Sequence, residues 1–225
     1  MKASRRKFIA AATAAAVAAP TAALAQRSGT PIAREGAPLP MDEAEKRALA
    51  VLDDIAANQS FYNVTREDGR LLRVFAQSIG ARRVVEVGTS TGYSGICIGL
   101  ALRATGGRLT TFEIDKGRAA AAAENFKRAG VGDLIDIVVG DAHVEVPKVV
   151  GTVDLVFLDA DKDGYILYLD SLLPKLRAGG LVIADNMRVP QPDPRYIQAV
   201  TTNPRLETLF LNMHAKGVGV TLKKG

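Results

Sequence analysis

The residue types best suited to chemistry sit at the ends of two apolar runs. Val153-Asp154-Leu155-Val156-Phe157-Leu158 leads into Asp159-Ala160-Asp161-Lys162-Asp163, and Leu181-Val182-Ile183-Ala184 leads into Asp185-Asn186. If both runs are consecutive strands of a parallel sheet, their carboxyl ends border one crevice and Asp159, Asp185 and Asn186 converge. Three oxygen donors without His or Cys suit a hard cation, Mg²⁺ first, with Ca²⁺ or Mn²⁺ as alternatives, and leave positions open for water or substrate. The same Asp-Asn pair also serves ordinary surface turns. Lys162 between two aspartates equally fits a solvated, ion-paired turn.

A second constellation lies upstream. The β-branched run Val84-Val85-Glu86-Val87 is followed by Gly88-Thr89-Ser90-Thr91-Gly92-Tyr93-Ser94-Gly95 and an apolar segment of helical length, which reads as strand, tight turn, helix. Glycines let backbone approach a ligand, and the following helix directs its first N–H groups toward it. The spacing departs from Gly-x-Gly-x-x-Gly. Even so, a further strand-like run, Arg108 to Phe112, ends in Glu113, 25 residues after Gly88, where doubly wound folds place an acid on ribose hydroxyls. Together they point to an adenosine-containing ligand; alone, the glycines are also a plain turn and the two glutamates solvated strand ends.

The elements that must position these groups alternate. Helices are expected over Asp42 to Gln59 and from Thr65 to Gly80, then strand and helix in turn: a strand into Glu86, an apolar helix, a strand into Glu113, an alanine-rich helix over Arg118 to Arg128 stopped by Gly130. Strands follow at Ile135 to Val139 and Asp154 to Leu158, a helix at Tyr165 to Leu176 and a strand at Leu181 to Ala184. Two closing runs, Leu206 to Met213 and Gly217 to Lys223, leave no room for a crossover and predict an antiparallel hairpin. This is an α/β pattern with a parallel sheet covered on both faces. Cys97, the single cysteine of 225 residues, excludes disulfides within one chain and is expected as a small buried residue. His143 and His214 are expected in solvated loops without a metal role, Tyr165 and Tyr168 on the packed face of a helix, and Asp161 and Asp163 as turn and helix-start residues.

The net charge of +5 is largely local. Lys2, Arg5, Arg6 and Lys7 stand in the first 25 residues without an acid, leaving 25 basic against 24 acidic residues in the remainder. That balance gives no support to a nucleic-acid partner. A basic start, an Ala-rich apolar stretch and Ala23-Leu24-Ala25 form a secretory signal over residues 1–25, and Ser4-Arg5-Arg6-Lys7-Phe8-Ile9 resembles the twin-arginine export motif. The 12 residues from Phe8 to Ala19 are too few for a stable membrane span. Residues 26–40, with Pro31, Gly36, Pro38 and Pro40, read as a linker, and 41–225 as the folded domain. Export to the periplasm is the expectation, with a cytoplasmic protein as the alternative if translation starts at Met41.

Five stretches, Glu86 to Ser94, Glu113 in Phe-Glu-Ile-Asp, Gly140-Asp141-Ala142, Asp159 to Tyr165 and Ala184-Asp185-Asn186, resemble in order and spacing the cation-dependent O-methyltransferases of the catechol and caffeoyl-CoA type. The resemblance covers roughly residues 41–225 and implies S-adenosylmethionine (SAM) as cofactor. It also implies the class I methyltransferase fold, a Rossmann-like, doubly wound seven-stranded sheet, mostly parallel with an antiparallel C-terminal strand, and a homodimer. It further implies that Glu113 holds the ribose, that Asp141 and Ala142 contact the adenine, and that Val64, Glu86, Gly88, Tyr93 and Ser94 surround the methionine part. Asp159 would lie beside the cofactor and bind metal with Asp185 and Asn186, and Lys162 would take the substrate proton. A free phenol, with a pKa near 10, is ionised to only about one part in a thousand at pH 7, which is what a divalent cation and a nearby base would remedy. The substrate implied is a small aromatic diol or phenol. Two departures leave it open: Asn212 to Gly217 offers no acid near the final hairpin, and Met187 to Pro192 lacks an aromatic. An exported adenosine-ligand binding protein without catalysis, and a nucleotide-dependent oxidoreductase, are the alternatives.

Overall fold

The computed structural model describes residues 36–59, 62–188, 190–212 and 216–225. The expected leader, most of the linker and His214 lie outside them. Among the described residues no helix is long and apolar enough to cross a membrane, and Leu39–Gly225 forms one compact unit.

Local signals set most element starts. Helix α1 (Glu43–Asn58) begins where the Asp42 carboxylate accepts the Glu45 N–H at 2.6 Å, with Glu43 and Glu45 in the first turn complementing the helix dipole. It buries Ala48, Val51, Leu52 and Ile55, one stripe at helical spacing. Helix α2 (Arg66–Ser78) starts at Thr65, whose hydroxyl accepts the Asp68 N–H and donates to the Asp68 carboxylate. Strand β1 (Arg83–Val87) leads into α3 (Tyr93–Thr105), buried at every position from Tyr93 to Leu102, hence its apolar sequence on all sides. Strand β2 (Arg108–Glu113), α4 (Lys116–Ala129), β3 (Ile135–Val139), the short α5 (Ala142–Glu145), β4 (Val153–Leu158) and α6 (Tyr165–Leu172) follow. After them come β5 (Leu176–Asp185), α7 (Pro194–Thr202), β6 (Leu206–Leu211) and β7 (Val218–Lys223).

The sheet has seven strands in the order β3-β2-β1-β4-β5-β7-β6. β7 runs antiparallel to both neighbours; all other pairs are parallel. Alternation along the strands divides the core. Val84, Leu155, Phe157 and Ile183 face α1 to α4, whereas Val85, Val87, Val156, Leu158 and Val182 face α6 and α7, as a period of two requires. Between β1 and β4 the order of winding reverses, so a crevice opens at the carboxyl ends of these strands.

The boundary between α6 and β5 differs from the expected one. The apolar period runs through Leu176, yet α6 stops at Leu172 and Leu176 already belongs to β5. Pro174 lacks the N–H needed to continue the helix, and Leu176 pairs with Val153 before a register shift that Gly179, at φ +72°, accommodates. The unexpected α7 starts at Asp193-Pro194, the Asp193 side chain accepting the Arg195 N–H, a helix-start signal legible in the sequence.

Asp154 ties the amino ends of three elements together. One carboxylate oxygen accepts the N–H groups of Arg82 and Arg83, each at 2.8 Å, and the other accepts Arg177 Nε at 2.7 Å; Arg177 also donates to the Ile79 carbonyl. Burial disfavours the Asp154 charge, but these donors outweigh it and hold the pKa below the ordinary value. Asp154→Ala is expected to cost about 2–3 kcal/mol, the scale of several stranded donors, read as a lower midpoint in urea denaturation with an unchanged slope.

Candidate active site

The turn after β1 is held down on β2. The Gly88 and Thr89 N–H groups both donate to the Phe112 carbonyl, at 3.0 and 3.2 Å. Gly88 has φ +102°, and a Cβ there would collide with the Asp159 backbone carbonyl. Gly92, at φ +92°, lies on the ring of Phe126. Both positions therefore demand glycine, for conformation and for space.

Glu86 and Glu113 are not solvated strand ends. Glu86 is fully buried. Its Oε2 accepts the Thr111 hydroxyl at 2.6 Å, Thr111 in turn meets Thr89 at 2.6 Å, and its Oε1 has no hydrogen-bond partner within the protein. Burial pushes its pKa from 4.5 up to about 7, against the opposing hydroxyls of Ser94 and Thr111. An unsatisfied carboxylate oxygen in so dry a place calls for a ligand donor. Val64, Tyr93 and Ser94 are buried as well. Glu113 is buried with both oxygens occupied: Oε2 accepts the Ser90 N–H at 2.8 Å, and Oε1 accepts the Asp115 N–H at 3.0 Å and Arg118 Nη2 at 2.7 Å. A ribose at Glu113 must use the remaining lone pairs or take the place of Arg118. Asp141, exposed, caps α5 by accepting the His143 N–H at 2.9 Å, and Ala142 packs on the second core.

The two acidic strand ends do meet. Leu158 and Ala184 are register partners, so Asp159 and Asp185 leave adjacent strands side by side. Burial first, and then the charge of Asp185, raise the Asp159 pKa to about 7, opposed by Lys162; burial likewise raises that of Asp185. Lys162 Nζ donates to Asp159 Oδ1 at 3.2 Å and to Tyr165 Oη at 2.5 Å, so its partner is neither Asp161 nor Asp163. The Tyr165 hydroxyl lies 2.8 Å from the Leu158 carbonyl and 3.2 Å from that of Asp185, and it can donate its proton to either. Asn186 has φ +61°; its N–H donates to Asp185 Oδ1 at 2.7 Å, and its buried side-chain nitrogen has no partner.

No three His, Cys, Asp or Glu side chains are placed to hold a metal among the described residues. The expected set has two carboxylates and one amide. Asp159, raised in part by the charge of Asp185, the buried Asp185 and the side-chain oxygen of Asn186 together offer oxygen donors of the kind that suits a hard cation.

Two groups here were not anticipated. Lys216, whose carbonyl accepts the Arg188 N–H at 2.8 Å, contributes positive charge that opposes the raising of Asp159 and Asp185. His143 is half-exposed, yet it is not simply solvated: its Nε2 lies 3.0 Å from Asp161 Oδ2, and the Tyr168 hydroxyl donates to Asp161 Oδ1 at 2.7 Å. Elsewhere, a groove of about 580 Å³ between α1 and α4, lined by Gln59, Tyr62, Arg118 and Asn125 among others, reaches Thr91 at the edge of the glycine turn but not the Asp159–Asp185 pair.

Residues 42–213 match the O-methyltransferase family. The catechol O-methyltransferase of Mycobacterium tuberculosis is 38% identical over 149 residues, 65% of this chain and 66% of that protein; the chain thus spans just under two thirds of that relative's length. The caffeoyl-CoA O-methyltransferase of Petroselinum crispum is 31% identical over 205 residues, 79% of this chain and 83% of that protein. Among solved structures, the O-methyltransferase TomG from Streptomyces achromogenes, in complex with SAM, superposes with a TM-score of 0.69 at 27% identity, covering 82% of this chain and 91% of its own.

Glu86 links the site to stability. Its folded pKa of about 7 lies above the ordinary 4.5, so the folded state is unpenalised below the ordinary value and loses stability as pH rises toward 7. Glu86→Gln, neutral throughout, is expected to melt above the wild type at pH 8 in the cofactor-free protein, with the gap shrinking by pH 5. Calorimetric scans at both pH values check this; a gap that ignores pH places the cost elsewhere.

Proposed function

This chain belongs to the O-methyltransferase family, and we propose that it moves a methyl group from SAM to one hydroxyl of a small catechol-like or phenolic substrate, assisted by a divalent cation. The observation that carries the reading is the meeting of two half-sites at one sheet rim: the glycine turn with its under-satisfied Glu86, and the Asp159–Lys162–Asp185 cluster, joined where Gly88 touches the Asp159 backbone.

In this reading Glu86 takes the ammonium end of the cofactor, which supplies the donor that Oε1 lacks. Glu113 holds the ribose, Asp141 and Ala142 face the adenine, and Val64, Tyr93 and Ser94 close around the methionine part. Asp159, Asp185 and Asn186 hold the cation, with Mg²⁺ the expected ion. When bound, the sulfonium supplies the methyl group and the cation supplies charge that acidifies a substrate hydroxyl. Lys162 receives that hydroxyl's proton at Nζ. Tyr165 sets where this happens: fully buried, with its oxygen 2.5 Å from Nζ, it keeps the lysine from swinging into solvent. Holding both reactants in line then contributes much of the acceleration.

Titration of SAM into the purified protein, followed by methyl transfer to catechol with Mg²⁺ and again with excess chelator, tests the whole. Binding with chelator-sensitive transfer supports it, and absence of binding removes it. Asp185→Ala is expected to lower turnover at least about a hundredfold while SAM affinity stays within about threefold, since loss of one positioned charge at a reacting centre is of that order. Lys162→Ala with unchanged turnover would instead remove Lys162 as the proton acceptor.

We also read residues 1–25 as an export address for the folded protein, on the strength of Arg5-Arg6 and the Ala-rich stretch after them. Fusing them to a reporter should move it to the periplasm, and Arg5→Lys with Arg6→Lys should retain it inside. Cytoplasmic recovery of the unaltered fusion would favour a start at Met41.

A further inference from the structure

The His143–Asp161–Tyr168 cluster is not used by the mechanism above, yet it spans the site. β3 and β4, the strands these loops follow, are separated in the sheet by β2 and β1, so their ends are not neighbours by pairing. The return segment through α5 brings His143 across to Asp161. Asp161 is held on both oxygens, by Tyr168 Oη at 2.7 Å and His143 Nε2 at 3.0 Å, and the His143 and Tyr168 rings lie 5.2 Å apart. A carboxylate can only accept, so the imidazole donates through Nε2.

Each end of this bridge leads to a different half of the site. The His143 N–H donates to Asp141 Oδ1, in the turn assigned above to the adenine. Asp161 sits between Asp159 and Lys162, one residue from the proton acceptor. Helix α6 anchors the same loop twice within its first turn, Tyr165 holding Lys162 and Tyr168 holding Asp161. Gly164 leaves the room this needs, since a Cβ there would approach Asp161 Oδ2 to 2.5 Å and the Tyr168 ring to 2.7 Å.

We propose that His143 is a positioning residue: by its bond to Asp161 it ties the turn that seats the adenine to the loop that carries Asp159 and Lys162, so that cofactor seating and base placement are coupled. This rests on the cofactor reading above. One contact shared by the two loops orders both, so losing it is expected to show in cofactor affinity on one side and in the placement of Lys162, read as kcat, on the other.

The test uses the full-length protein with Mg²⁺, S-adenosylhomocysteine as the binding probe and catechol as the acceptor, in His143→Ala, His143→Gln and His143→Asn. His143→Ala is expected to weaken the probe about fivefold by calorimetry and to lower kcat about tenfold with KM for catechol nearly unchanged, the scale of one lost hydrogen bond to a charged group. The amide nitrogen of Gln reaches where Nε2 stands, whereas that of Asn falls short. Rescue of both quantities by Gln but not by Asn supports the proposal. Equal behaviour of the three variants overturns it, as does a lowered Tm in all three with kcat and probe affinity intact, which marks a purely structural contact. A wild type that fails to bind the probe removes the cofactor reading itself, whereas wild-type binding with His143→Ala unchanged removes this inference alone.

Discussion

One backbone hydrogen bond sets the geometry on which the rest depends. The Asp159 N–H donates to the Val87 carbonyl at 2.9 Å, the last rung between β1 and β4, and it fixes the start of the glycine turn against the start of the acidic loop. The contact is so close that Gly88 has no room for a side chain. A parallel sheet whose winding order reverses between these strands makes such a meeting available. The glycine keeps the two loops from being pried apart.

Around that contact the protein concentrates groups that are poorly satisfied without a ligand. Glu86 is dry with one oxygen unpartnered, the partly buried Asp159 lies beside the buried Asp185, and the side-chain nitrogen of Asn186 has no partner. In a folding sense these are costs, set against two apolar layers that fill both faces of the sheet. In a binding sense they are preorganisation. In the proposed function, donors and charge brought by ligands would relieve groups that the fold already holds in place.

The two faces contribute differently. Helices α1 to α4 bury the glycine turn and its glutamate, a rigid seat with Phe126 packed directly under Gly92. On the other face, α6 presents Tyr165 and Tyr168, both fully buried, whose hydroxyls emerge under the acidic loop and hold Lys162 and Asp161. The apolar bodies of these rings make them core residues, and their polar ends make them supports for the site.

How much of this was legible in the chain follows from the range of each interaction. Asp42 and Thr65 start helices by bonding groups three residues away, and Glu86, Glu113, Asp159 and Asp185 end strands that the β-branched and apolar runs announce, so composition and spacing sufficed for them. The end of α6 was misjudged because the apolar period continues through Leu176 while Pro174 and the pairing of Leu176 with Val153 decide otherwise. Sequence order alone therefore determined the alternating α/β plan, the glycine turn and the acidic strand ends, because those are written in propensities and periods that act over a few residues. Only the tertiary structure decided that Lys162 pairs with Asp159 and Tyr165, that Arg118 occupies Glu113, and that His143 reaches Asp161 across two intervening strands. Strand order and side-chain packing are settled by the burial of the whole core, which no local spacing encodes.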